Sequence, residues 1–170
     1  NEGLFTNTTL ALKPETGELA WYYQHQANDQ WDLDWAFERM VVDLPIGRKT
    51  TRSVVTVGKT AIIDALDAAN GDYLFSIDAG LNNVVQSIDP KTGKKQIDPE
   101  LVPGSKTITV CPSAHGVKSW TPGSYNSSTS TLFLPLNLAC MVMEPVEPGE
   151  TSPLSSGIRW SVAPRPNSDG

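Results

Sequence analysis

Three carboxylates, Asp29, Asp32 and Asp34, fall within six residues of one another, and the stretch is flanked by Trp31 and Trp35, two of the chain's five tryptophans. A carboxylate beside a large aromatic is poorly solvated, and a poorly solvated carboxylate is either costly or useful. In an extended segment Asp32 and Asp34 point to the same side, because side chains alternate with period 2. Two like charges so placed raise each other's pKa unless a cation sits between them. The chemistry on offer is that of a general base or a hard-oxygen metal ligand. The competing reading makes one Asp the cap of a short helix over Trp35–Met40. No Glu or Gln stands three residues after either Asp, so a capping box is absent.

The elements around this stretch read as strands. Gly, Pro, Asn, Ser and Thr recur at regular intervals, and long helical periodicity is nowhere visible; the composition is all-β. Short strands are expected over 9–12 and 19–25, joined by the turn at Thr16-Gly17, and over 52–57, 60–66 and 73–77, with Asn70-Gly71 as a hairpin turn. Further strands are expected over 106–110, 131–135, 140–146 and 158–162, and 148–170 is otherwise expected to be irregular. With 170 residues the chain is long enough for one domain with a sizeable core. Its net charge of −6 argues against nucleic acid and anionic membrane as partners. It holds no apolar run of membrane-spanning length and no signal peptide.

A repeat is present. Ala11, Gly17 and Trp21 align with Ala65, Gly71 and Phe75, each at the same offset. A repeat of this length built of short strands marks propeller blades or a β-solenoid. The Gly makes the turn, the small Ala lets blades approach, and the aromatic fills the space between them. Other motifs are excluded. Gly58-Lys59-Thr60 lacks the upstream glycine of a phosphate loop, because Ser53 stands there. Neither a nucleophile elbow nor a dinucleotide fingerprint occurs. His25 and His115 are too few and too distant for a histidine metal site. Cys111 and Cys140 form neither a CxxC nor a haem attachment motif; they are either one disulfide or two buried thiols.

The run Ala11-Leu12-Lys13-Pro14-Glu15-Thr16-Gly17 to Trp21, followed by Trp31-Asp32, then Lys59, the Ala65–Phe75 repeat and Ser119-Trp120-Thr121-Pro122 before Tyr125-Asn126, resembles the quinoprotein alcohol dehydrogenases. These are eight-bladed β-propellers that hold pyrroloquinoline quinone (PQQ) on the propeller axis. Val110-Cys111-Pro112 and Leu134–Met141 are similar to sorbose/sorbosone-type members, and the methanol and ethanol dehydrogenases share the overall order. The resemblance covers about residues 4–147. It implies two to three blades of one propeller domain, with 1–170 a segment of a longer periplasmic enzyme whose signal peptide lies upstream. It implies Asp32 as catalytic base, Lys59, Ser119 and Trp120 as cofactor-binding residues, and Asp32 with Asp34 as ligands of a calcium or lanthanide ion. Asp34, two positions after the base, is similar to the lanthanide-using type. A Cys111–Cys140 disulfide, an alcohol substrate and a cytochrome c or quinone electron acceptor are implied as well. Two positions depart from the pattern: Ser119 stands where the family usually has Asn or Asp, and Phe75 replaces the second motif's Trp. The other class open to these docking repeats is a propeller that binds no quinone and assembles other proteins.

Overall fold

A computed structural model describes residues 3–147, 149–150 and 157–166. Two antiparallel strands, β1 (Thr8–Leu12) and β2 (Leu19–Gln24), make the first hairpin. A four-stranded antiparallel meander follows: β3 (Arg39–Ile46), β4 (Lys49–Val57), β5 (Ile62–Asp67) and β6 (Tyr73–Asp78), paired in that order. This is the sheet of one complete propeller blade. The inner strands bury Ser53–Val57 of β4 and most of β5, whereas the edge strand β3 alternates half-buried with exposed residues along most of its length. Next come the hairpin β7 (Val85–Ile88) and β8 (Lys95–Ile97), a single 3-10 turn at Pro99–Leu101, and β9 (Ile108–Val110). The hairpin of β10 (Ser124–Asn126) and β11 (Thr131–Phe133) precedes β12 (Ala139–Pro145) and β13 (Ile158–Pro164), and β12 is the centre of a β13-β12-β9 sheet.

The all-β expectation is met, with corrections of detail. The helix over Trp35–Met40 does not exist; those residues run as irregular chain into β3. Strand β3, the hairpin β7–β8 and strand β10 are absent from the expected set. Within the stretch from 148 onward, β13 pairs with β12 along its whole length. Residues 148, 151–156 and 167–170 of the expected irregular tail lie outside the described residues.

The repeat is structural. Ala11 pairs with Trp21 and Ala65 with Phe75, and in both hairpins the register shifts immediately after the Ala. The turn glycines make the same bond: Gly17 N–H donates to Lys13 O and Gly71 N–H to Asp67 O, each at 2.8 Å. A third copy of this turn joins β7 to β8, where Gly93 N–H donates to Asp89 O at 2.8 Å. Docking runs from one hairpin to the next. The Trp21 indole N–H donates to Ala68 O at 3.2 Å, and its ring lies against Gly71.

Gly17 and Gly71 both have φ above +70°, but a Cβ on Gly17 meets open space while one on Gly71 would lie 2.6 Å from the Trp21 ring. Gly17→Ala is therefore expected to destabilise the intact protein by about 1–2 kcal/mol, the cost of a left-handed residue alone. Gly71→Ala adds overlap with Trp21 and is expected to cost clearly more. Chemical denaturation of both variants checks the order; equal losses would contradict the docking role of Trp21.

The main core packs Trp31, Leu33, Val84, Val110, Ala114, Met141, Met143 and Ile158. Cys111 and Cys140 form a disulfide, with Cα atoms 4.3 Å apart, beside the Val110–Met141 pair. Closing a loop of this length stabilises by roughly 3–4 kcal/mol in the loop-entropy account. Asn83 brackets the bridge: its side chain accepts from Cys111 N–H at 2.8 Å and its own N–H donates to Cys111 O at 3.0 Å.

Candidate cofactor and metal site

The stretch 29–35 alternates strictly. Trp31, Leu33 and Trp35 are buried, and Asp32 and Asp34 face outward with 65% and 42% of their side chains exposed. Asp32 adopts a left-handed backbone, φ +63°, which an Asp tolerates better than most residues. The expectation that the tryptophans shield the aspartates is corrected here. The same alternation that turns the carboxylates out turns the indoles in, so the tryptophans anchor the segment from below. Trp31 Nε1–H donates to Leu101 O at 2.6 Å. Trp35 packs against Gly58, where any Cβ would collide with its ring. Asn7 fixes the segment from the side: its Oδ1 accepts from Trp35 N–H at 3.0 Å and its Nδ2 donates to Asp29 at 3.2 Å.

Lys59 stands on the tight turn between β4 and β5. Its side chain is 8% exposed, and its ammonium lies 3.2 Å from Asp32 Oδ1 and 2.9 Å from Asp34 Oδ2. It also donates to Asp32 O at 2.6 Å, while its backbone N–H donates to Asp34 O at 3.0 Å. Lys59 is thus not a solvated turn lysine, and the cation between the two carboxylates is present. The two aspartates are pushed apart electrostatically. Partial burial and the Asp34 carboxylate hold Asp32 above the ordinary range, against the pull of Lys59. Burial acts upward on Asp34 too, but its bonds to Lys59 and Asp32 outweigh it and hold Asp34 below that range. Neighbouring groups with divergent proton affinities are the usual arrangement for base chemistry.

Behind Lys59 runs the loop that follows the disulfide. Val117 N–H donates to Lys59 O at 2.8 Å, and Gly116 packs on the lysine stem. Ser119 and Trp120 continue this loop. Trp120 is 75% exposed and meets Phe37 in an edge-to-face contact, with ring centroids 5.3 Å apart. Asp32, Asp34 and Lys59 are therefore brought together. Ser119 and Trp120 are joined to them through the backbone of one loop rather than by side-chain contact.

Beneath the segment lies a buried network that sequence reasoning missed. Asp64 accepts from His25 Nδ1–H and from the Lys95 ammonium, both at 2.7 Å, and from Ser76 Oγ–H at 2.6 Å. With Nδ1 protonated toward Asp64, His25 Nε2 accepts from the Thr9 hydroxyl at 2.7 Å. The His25 ring stacks on Trp35 at 4.9 Å, and Lys95 lies over the same indole at 4.9 Å. Burial pushes both His25 and Lys95 below their ordinary values. Although burial acts upward on Asp64, its bond to His25 and the Lys95 charge hold it below the carboxylate range. The available signal was a lone acid in the apolar run Ala61–Leu66.

An open cleft of about 350 Å³ fronts the aspartates, lined by Gly3, Thr6, Asn7, Asn28, Asp29, Asp32 and Asp34. Carboxylate and amide oxygens suit a hard cation. Among the described residues no group of three or more His, Cys, Asp or Glu side chains is placed to hold a metal; Asp32 and Asp34 by themselves offer two hard-oxygen donors.

Residues 1–81 match the family model described as "PQQ: Glucose/ethanol/alcohol dehydrogenase, beta-propeller domain". The chain is similar to the quinoprotein alcohol dehydrogenases. The quinohemoprotein alcohol dehydrogenase ADH-IIG of Pseudomonas putida is 26% identical over 96% of this chain and 24% of its own length. The dehydrogenase subunit of an alcohol dehydrogenase (quinone) from Komagataeibacter europaeus is 34% identical over 59% of this chain and 14% of its own. The chain thus spans about a quarter or less of these curated relatives. Among solved structures, the same Pseudomonas quinohemoprotein superposes with a TM-score of 0.84 at 26% identity, over 95% of this chain and 25% of that one. A europium-containing methanol dehydrogenase superposes with a TM-score of 0.85 at 23% identity, over 98% of this chain and 29% of that one, a likeness of fold. The fold of this chain is therefore part of a β-propeller.

Proposed function

We propose that this chain is a segment, residues 1–170, of one catalytic propeller domain of a periplasmic PQQ-dependent dehydrogenase that oxidises an alcohol. The observation that carries the reading is the convergence of Asp32 and Asp34 on the buried ammonium of Lys59. A scaffold propeller needs Ala11, Gly17 and Trp21, but has no use for a buried lysine spanning two outward carboxylates. Asp32 is the general base that takes the proton of the substrate hydroxyl, and its raised pKa favours that task. Lys59 orients the Asp32 carboxylate and offers a fixed positive charge to the oxygens of the cofactor. Ser119 and Trp120 complete the cofactor contact from the loop held by Lys59. When bound, PQQ supplies the hydride-accepting centre and a metal supplies Lewis acidity. The disulfide suits an oxidising compartment, which supports the periplasm. The relatives' names, quinohemoprotein and quinone-linked dehydrogenase, support a cytochrome c or a quinone as electron acceptor.

Asp32 and Asp34 are the metal ligands of this reading. The second carboxylate adds a hard oxygen and a negative charge, which suits a trivalent lanthanide more than calcium. The intact protein reconstituted with PQQ is therefore expected to be more active with lanthanum or cerium than with calcium, and Asp34→Ala is expected to reverse the preference. Equal or higher activity with calcium in the unmutated protein would rule out the lanthanide assignment.

A further inference from the structure

Glu38 follows Asp34 by four residues, and its one carboxylate ties down both ends of the loop that presents Trp120. Glu38 Oε2 accepts from the Lys118 ammonium at 3.0 Å, and Oε1 accepts from Gly123 N–H at 2.7 Å. The Lys118 side chain is fully buried, so its charge must be matched where it stands. It is matched three ways: by Glu38, by Ser119 O at 2.6 Å, and by the Phe37 ring 4.9 Å away. Phe37 in turn meets Trp120 edge-on. At the Lys118 end of the loop, the preceding Val117 is bonded to Lys59. A buried ion pair is costly unless every partner is satisfied, and here it secures a loop whose tip is an exposed indole. A rigid, wet tryptophan face is suited to stacking on a planar ligand.

We propose that Glu38 and Lys118 are positioning residues that hold Trp120 in a single orientation toward the bound quinone. The identity of the ligand rests on the proposed function; the clamp rests on the contacts above. Glu38 stays ionised, because the Gly123 amide and Lys118 outweigh its burial and hold its carboxyl below the ordinary range.

The test uses the intact protein labelled with 5-fluorotryptophan, first without PQQ. The Trp120 fluorine line is identified by its absence in Trp120→Phe. It should be single and narrow in the unmutated protein and broadened or split in Glu38→Gln, with the other tryptophan lines unmoved. PQQ affinity, measured by equilibrium titration, should fall about tenfold in Glu38→Gln, the loss of a charge-assisted hydrogen bond. In a Trp120→Ala background the same substitution should change affinity less than about twofold, because its effect passes through Trp120. If Glu38→Gln does not fold, Glu38→Gln with Lys118→Met buries no unpaired ion and is read the same way. An unchanged Trp120 line in the substituted protein, or an undiminished affinity loss without Trp120, would overturn the proposal. Absence of PQQ binding by the unmutated protein would overturn its ligand and the functional reading, while the fluorine line still reports the clamp.

Discussion

Asp32→Asn in the intact protein is expected to keep PQQ and to lose at least about 10²-fold in turnover, the usual cost of removing a positioned base. The substitution preserves size and the capacity to accept from Lys59, and Asn tolerates the left-handed backbone at this position. What it removes is the ability to take a proton. The pH dependence follows from the same geometry. The base works when ionised, so kcat/KM should rise with pH through the Asp32 pKa, which lies above the ordinary carboxylate range. Lys59 pulls that pKa down, so Lys59→Met should move the acid limb to higher pH. Turnover like that of the unmutated protein in Asp32→Asn would remove Asp32 from its role.

Asp64→Ala is expected to be the most destabilising single change in the chain. It strands the Lys95 ammonium and the His25 ring in the core, and breaking a buried pair costs roughly 3–5 kcal/mol. Chemical denaturation of the intact protein measures the loss. Pairing the change with Lys95→Met should recover much of it, because no unmatched charge then remains. The folded state should also be acid-sensitive in two steps. His25 is held neutral, with its folded pKa below its unfolded value, so the unfolded chain binds more protons as pH falls below about 6.5 and stability declines. Asp64, also depressed in the fold, contributes stability above its unfolded value of about 3.9 that is lost as pH falls through its lower folded pKa. Asp64→Ala should abolish the lower step and enlarge the upper one, because the bond to Asp64 is what holds the His25 pKa up against burial. Because Trp35 packs against both His25 and Lys95, the same variant should loosen Asp34 and Lys59 above it.

What the sequence made readable was local. The Ala, Gly and aromatic of each repeat act within a hairpin and its neighbouring turn, so their spacing survives as pattern and the paired registers repeat it. The outward pairing of Asp32 and Asp34 matches period 2, even though Asp32 itself leaves the extended region. The same rule placed Trp31 and Trp35 on the opposite side, and reading them as shields for the aspartates conflicted with it. Strand β3 was hidden by Pro45, which ordinarily argues against a strand but is tolerated on this edge opposite Thr50. The ionic contacts that organise the site are tertiary. Glu38 and Lys118 are 80 residues apart, and Asp64 meets partners 39 and 31 residues away. Nothing in local spacing marks such pairs; only an unexplained charge in an apolar strand, as at Asp64, points to one.

The most direct test is the reduction of an artificial electron-acceptor dye by the intact protein, purified without cofactor and reconstituted with PQQ and either calcium or lanthanum. Dye reduction should require alcohol, PQQ and the metal together, and should vanish when any one is left out. Protein that takes up no PQQ with either metal and reduces no dye with alcohol would contradict the account and leave a propeller that binds other proteins.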